Sequence, residues 1–264
     1  MNRAQMSTRP VTELRGPIKA LFSDVDGTMT SGDRIESKTY AALEELGDAG
    51  IPVIMVTGRP AGFGHAFMKM TPILACIAEN GGVTFTRDGR KLVKQYGVPA
   101  ASLPEWRRRM NDVAIEVMSK CPGARLSSDS KYREVDLAID YNEEVTLPAS
   151  DAELAVRLIK KVGLEAVRSS VHVNFGPPMF DKLSACLGLI RSVLKGDPKE
   201  LDSYVYVGDA LNDAPMFRGF PQSVGVANVK QWWDELAYKP AFITEQPEGA
   251  GLRELCAHLL SVSR

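Results

Sequence analysis

The chain has 264 residues, of which 25% are charged and 44% hydrophobic, and its formal net charge at pH 7 is -1. Those values describe a globular protein of one large or two modest domains, and they give no electrostatic case for nucleic acid or an anionic membrane as a partner. No apolar run approaches the length of a membrane span.

Residues 1–16 are polar and lack the apolar stretch of a secretory signal. They are expected to form a loose tail, and the protein is expected in the cytoplasm. "IKALFS" (18–23) is a short apolar run that stops at Asp24, the pattern of a strand buried on both faces. From Ile35 to Ala49, Tyr40, Leu43 and Leu46 recur at helical spacing, and Gly50 ends the run. "IPVIMV" (51–56) predicts a second buried strand, ending at Thr57-Gly58-Arg59. Strand, helix and strand in so short a space predict a parallel unit with a right-handed crossover. Ligands of such open sheets bind beyond the carboxyl ends of the strands.

The middle of the chain changes character. "GGVTFTRDGRKLVKQY" alternates around Asp88-Gly89 and predicts a β-hairpin. A helix is predicted over 103–120, with Trp106, Met110, Val113 and Val117 on one side, then a strand at "YREVDLAID". Another helix is predicted over 151–162, followed by one strand at "EAVRSSVHVNF". These signals predict an α+β insert over 83–178, interrupting a core built from 17–82 and 179–264. After "GPPMFDK" the α/β rhythm resumes: a helix over 183–194, strands at "SYVYVGD", "SVGVAN" and "AFIT", and a last helix over 251–260. Cys76, Cys121, Cys186 and Cys256 are far apart and read as small core residues in a reducing compartment.

Two acidic clusters stand where buried strands end. Asp24 and Asp26 sit beside Gly27-Thr28, and "YVGDALNDAPMF" places Gly208, Asp209, Asn212 and Asp213 after the later strand. If those strands are neighbours, the carboxylates converge at one sheet edge. Hard oxygen ligands with room for waters and a phosphate describe a magnesium site. Four carboxylates and a phosphate dianion together require Mg²⁺ and at least one fixed cation, for which Lys182 and Arg59 are the available side chains. Taken singly, each signal has a plainer reading. "DVDGT" fits a simple turn, Lys182 a surface lysine, and Arg59 an ion pair. His172 and Asn174 share a strand face that fits either a cleft or a structural role. Asn80, beside Gly81-Gly82, fits a turn into the insert.

Asp24-Val25-Asp26-Gly27-Thr28, Thr57-Gly58-Arg59, Lys182 and Gly208-Asp209-x-x-Asn212-Asp213 resemble, in order, the four motifs of the haloacid dehalogenase superfamily. The position of the insert, between the second motif and Lys182, is similar to the class II cap. "IAENGGVTF" and "FDK" resemble the IIB branch, which includes mannosyl-3-phosphoglycerate and sucrose phosphatases. One departure is Leu183, where relatives often carry Gly.

The resemblance implies a Rossmann-like parallel sheet with an inserted α+β cap, and a phosphatase chemistry. Asp24 would be the nucleophile, forming an aspartyl-phosphate, and Asp26 the proton shuttle. Mg²⁺ would be held by Asp24, the Asp26 carbonyl and Asp209, with Asp213 as a ligand or close partner. Thr57, Gly58, Arg59 and Asn212 would serve the phosphate and its loop, and Lys182 would offset charge. The expected substrate is a small phosphorylated metabolite, a sugar phosphate or phosphoglycerate glycoside. The alternatives are a phosphosugar mutase of the phosphomannomutase kind and a non-catalytic metabolite-binding member.

Overall fold

The computed structural model describes residues 7–32, 34–169 and 171–263. Its strands are β1 (Arg9–Pro10), β2 (Ala20–Ser23), β3 (Val53–Val56), β4 (Ala75–Ala78), β5 (Val83–Asp88), β6 (Lys91–Tyr96), β7 (Arg125–Leu126), β8 (Leu137–Asp140), β9 (Glu165–Arg168), β10 (His172–Gly176), β11 (Tyr204–Gly208), β12 (Gln222–Gly225) and β13 (Phe242–Ile243). Its helices are α1 (Ser37–Asp48), α2 (Ala61–Met70), α3 (Leu103–Lys120), α4 (Ala149–Lys161), α5 (Lys182–Ser192), α6 (Ala214–Gly219) and α7 (Glu248–Val262).

One sheet runs in the order β1-β13-β12-β11-β2-β3-β4-β5-β6. It is parallel from β1 to β4, then antiparallel through β5 and β6. The central strands are buried on both faces because their side chains alternate between two apolar layers. Leu21, Met55 and Val205 face α1, α2 and α7, while Phe22, Ile54 and Tyr206 face α5 and α6. The result is the α/β core expected, with helices on both sides of a mostly parallel sheet.

The second sheet, β7-β8-β10-β9, is antiparallel throughout. Val113 and Val117 of α3 and Ala155 and Ile159 of α4 cover one face of it, packing on Ile139, Val173 and Phe175. His172 and Asn174 alternate with those residues and leave the opposite face of β10 to the core sheet.

Several expectations are corrected. Residues 1–6 of the expected tail lie outside the described residues, but 7–16 are not loose. β1 pairs with β13, and Val11 and Leu14 are buried. The hairpin assigned to the insert, β5 and β6, extends the core sheet instead. "EAVRSSVHVNF" is two strands, β9 and β10, folded back on each other after Arg168, with Ser169 N donating to His172 O. Helix α2 and strand β4 were not predicted. The glycines of "AGFGHAF" obscure the helical pattern, yet Gly64 is what lets α2 lie on β4: a Cβ there would come 2.8 Å from Cys76 Sγ.

The strand expected at "YREVDLAID" begins only at Leu137, and the reason is a buried carboxylate. Glu79 Oε1 accepts from Ala61 N and Glu134 N, both at 2.8 Å; Oε2 accepts from Val135 N at 2.6 Å and Asp136 N at 2.9 Å. The N–H groups of 134–136 are therefore satisfied by Glu79 rather than by a neighbouring strand. One side chain caps α2 and ties the insert to the core. Glu79→Ala is expected to cost about 3 kcal/mol of stability, since it strips partners from several buried donors. Urea unfolding checks this, and a loss below about 1 kcal/mol would leave Glu79 without the structural role assigned to it.

Candidate active site

Strands β11, β2 and β3 are neighbours, so the residues just past their ends meet at one edge of the sheet. Lys182, the first residue of α5, lies there beneath the insert. Its Nζ is 2.7 Å from Asp24 Oδ1 and 2.9 Å from Asp213 Oδ1. Lys182 and Asp24 are each 5% exposed and Asp213 is fully buried. Burial works against the lysine's charge, but Asp213 and Asp24 outweigh it and hold the ammonium above the ordinary lysine range.

Asp209 completes the cluster. Its Oδ1 accepts from Thr28 Oγ1 at 3.3 Å and its Oδ2 from Asn228 Nδ2 at 2.9 Å. Gly27 sits against this carboxylate with φ of +72°, and a Cβ there would lie 2.3 Å from Asp209 Oδ2, so the position demands glycine. Asn228 also donates to Gly27 O at 3.0 Å and accepts from Glu248 N at 2.8 Å, locking the two acidic loops to the start of α7.

The charges do not balance. Asp24, Asp209 and Asp213 offer ligand atoms within 4.8 Å of one another, and Lys182 is the cation that touches two of them. Burial pushes Asp24 up to about 7 against the pull of Lys182, with Asp213 and Asp26 adding to the rise. Burial, then Asp24 and Asp213, raise Asp209 well above the carboxylate range. A second cation is what this donor set lacks, and hard oxygens in this number suit Mg²⁺. The three carboxylates are not equivalent towards it. Asp213 Oδ1 accepts from Lys182 and from Tyr206 OH at 2.5 Å; its Oδ2 accepts from Asp209 N at 3.0 Å and Ala210 N at 3.2 Å. Its four acceptor positions are all engaged, so Asp213 orients Lys182 and the 209–210 backbone. Asp209 has one protein partner on each oxygen and keeps room for a metal.

The second motif is also at this edge. Thr57 is buried, and its Oγ1 accepts from Arg59 N at 3.0 Å. Arg59 grips Asp26, with Nε at 2.9 and 3.0 Å from the two oxygens and Nη2 at 2.5 Å. The ion-pair reading of Arg59 is thus the observed one, and Asp26 is held at the half-exposed rim of the site.

Sequence reasoning missed the insert's contribution. Arg133 is 5% exposed; its Nη1 donates to Gly58 O at 3.0 Å and to Asp136 Oδ1 at 2.8 Å, while Nε and Nη2 bind Asp129, each at 2.8 Å. Asn174 Nδ2 reaches the same Gly58 oxygen at 3.4 Å, whereas His172 Nε2 lies 2.8 Å from Glu143 within the insert. Burial pushes Asp136 up to about 7, against the pull of Arg133. A cavity of about 130 Å³ opens between insert and core beside Lys182, with Asn80, Asp136, Asn174 and Asn212 in its wall. No motif marks Asn228, Arg133 or Asp136; their alternation with apolar neighbours reads as ordinary strand and turn.

The chain is similar to several known proteins. A family model described as haloacid dehalogenase-like hydrolase matches residues 21–120. A phosphoglycolate phosphatase of Methanococcoides burtonii is 27% identical over 249 residues, covering 92% of this chain and 97% of that protein. One from Archaeoglobus fulgidus is 29% identical over 240 residues, covering 89% and 94%. The Synechocystis sucrose-phosphatase solved with sucrose and phosphate shares the fold, at a TM-score of 0.66 and 17% identity over 92% of this chain and 98% of that one. Among the described residues, no helix is long and apolar enough to cross a membrane.

Proposed function

We propose that this chain, which is similar to haloacid dehalogenase-like hydrolases over residues 21–120 and to phosphoglycolate phosphatases at 27–29% identity, is a magnesium-dependent phosphatase acting on a small sugar phosphate through an aspartyl-phosphate on Asp24. The observation that carries this reading is Lys182 Nζ, buried at 2.7 Å from Asp24 and 2.9 Å from Asp213 at the ends of adjacent strands. A cation fixed there neutralises the nucleophile's surroundings without moving during reaction.

Asp24, the Asp26 carbonyl and Asp209 would hold Mg²⁺, which when bound draws charge from the phosphoryl oxygens. An Asp24 oxygen forms a bond to phosphorus as the bond from phosphorus to the leaving oxygen breaks. Asp26 gives its proton to that leaving oxygen and later takes one from the water that attacks the phosphorus of the aspartyl-phosphate. Arg59 donates to both oxygens of the Asp26 carboxylate in this structure, so it must release at least one of them before Asp26 carries the proton. Thr57 and the Gly58 backbone cradle the phosphoryl oxygens, and Asn212 orients the loop that carries Asp209. The insert closes the site to bulk water.

A second substrate reading, 2-phosphoglycolate, is favoured by the names of the curated relatives. Phosphate release is to be followed from sugar phosphates, phosphoglycerate glycosides and 2-phosphoglycolate, with Mg²⁺ and with EDTA. Release concentrated on one compound, falling at least about 100-fold in EDTA, is the expected result. Equal rates in EDTA would remove magnesium from the account.

A further inference from the structure

The cavity between insert and core carries a demand that the protein itself does not meet. Asp136 is 2% exposed, and its Oδ2 is buried with no hydrogen-bond partner. Asn212 Oδ1 is buried and unpartnered as well, and both residues line the cavity beside Lys182. Buried acceptors are nearly always satisfied, so two orphaned oxygens around one space call for a ligand that donates hydrogen bonds.

The charged side chains at this wall are mostly committed to one another or negative. Lys182 is bound to Asp24 and Asp213. Arg133, behind the cavity wall, spends four of its five N–H groups on Asp129, Asp136 and Gly58 O. Asp181 and Glu165 also line the cavity and add negative charge. Asp136 is in turn fixed in place, because the Arg133 nitrogen that holds its Oδ1 also holds the Gly58 carbonyl, in the loop that follows β3.

Resting on the phosphatase reading above, we propose that Asp136 determines specificity: its Oδ2 accepts a hydroxyl hydrogen from a neutral polyol leaving group, and substrates whose leaving group bears a carboxylate are rejected. Asp136, Arg133 and Gly58 form a continuous chain of contacts, so a polyol seated on Asp136 is held in fixed relation to the phosphate loop. The discrimination is strong because the site's own polar atom stays unpaired when the hydroxyl is missing.

The test compares kcat/KM for glycerol 3-phosphate, glucose 6-phosphate, 2-phosphoglycolate and acetyl phosphate in Mg²⁺ at pH 8. That pH lies above the value of about 7 to which burial pushes Asp136. The wild-type protein is expected to prefer a polyol phosphate over 2-phosphoglycolate by about tenfold or more, the worth of one hydrogen bond to a charged group. Asp136→Asn keeps the shape and is expected to lower kcat/KM for the polyol phosphate by about tenfold, while acetyl phosphate, which has no hydroxyl to place, stays within about threefold. Preference of the wild type for 2-phosphoglycolate over both polyol phosphates would overturn the inference, and needs no variant to fold. An equal loss on all substrates in Asp136→Asn would also overturn it, reducing Asp136 to a support for the fold. If folded wild type releases phosphate from none of them, acetyl phosphate included, the phosphatase reading fails and takes this inference with it.

Discussion

Asp24→Asn is expected to lower kcat by at least about 10⁴-fold, the scale on which removal of a covalent nucleophile acts. The variant should remain folded. Asparagine occupies the same space, and it removes one of the charges that burial destabilises: Asp24 is pushed up to about 7 even with Lys182 beside it. In the metal-free protein the substitution is therefore expected to be neutral or stabilising, while activity disappears. A variant with more than about one tenth of wild-type kcat would exclude Asp24 as nucleophile. Loss of activity together with loss of fold would instead mean that Asp24 matters to packing.

Lys182→Met has the opposite signature. Methionine fills the channel along the lysine stem but leaves Asp24 and Asp213 without their shared cation. Breaking a buried ion pair by removing one partner typically costs about 3–5 kcal/mol. A destabilisation of that order is expected at pH 8, with kcat down about 100-fold or more through loss of a preorganised charge. The pH dependence has a definite sign. Asp24 already holds its proton up to about 7 with the lysine present, so without the lysine the carboxyl takes up its proton at a higher pH still, and the deficit in stability shrinks as pH falls towards about 7, below which Asp24 is protonated in both proteins. Thermal unfolding at pH 8 and pH 5.5 measures it. A deficit that is constant across that range would mean the lysine acts through packing of its stem and not through its charge.

The arrangement of the candidate site was legible in the sequence because strand ends mark it. A buried strand cannot be followed by two aspartates and a glycine turn without a reason, and parallel strands bring such ends to one edge. Asp24, Lys182, Asp209 and Asp213 accordingly meet at one edge of the sheet, with Thr57 at the end of the neighbouring strand β3. What stayed hidden is what depends on contacts between distant segments. Glu79 reads as a turn residue beside Asn80-Gly81-Gly82, and only the folded chain shows it binding N–H groups 55 to 57 positions away. Asn228 lies in a stretch without any motif, yet it braces Asp209. The hairpin at 83–96 has the same alternation whether it joins the core sheet or the insert, since periodicity reports which face is buried and not which sheet is joined. Arg9 and Pro10 show the reverse error: polar residues at a chain end read as loose, although a two-residue strand needs only a free sheet edge, which β13 supplies.

Asp213 shows how far a motif can carry an assignment. Its place in "GDALND" suggests a metal ligand, whereas in this structure its two oxygens accept from Lys182, Tyr206 and the backbone of Asp209 and Ala210.

The central claim is that the phosphoryl group passes through Asp24 itself. The most direct measurement is a single turnover of ³²P-labelled substrate in Mg²⁺, quenched in acid within milliseconds and digested, with the labelled peptide sequenced by mass spectrometry. The account predicts transient label on the peptide that contains Asp24, rising and decaying before free phosphate reaches its end point, and absent from Asp24→Asn. Phosphate released at full rate with no label on that peptide at any quench time would contradict it and assign the attack to water.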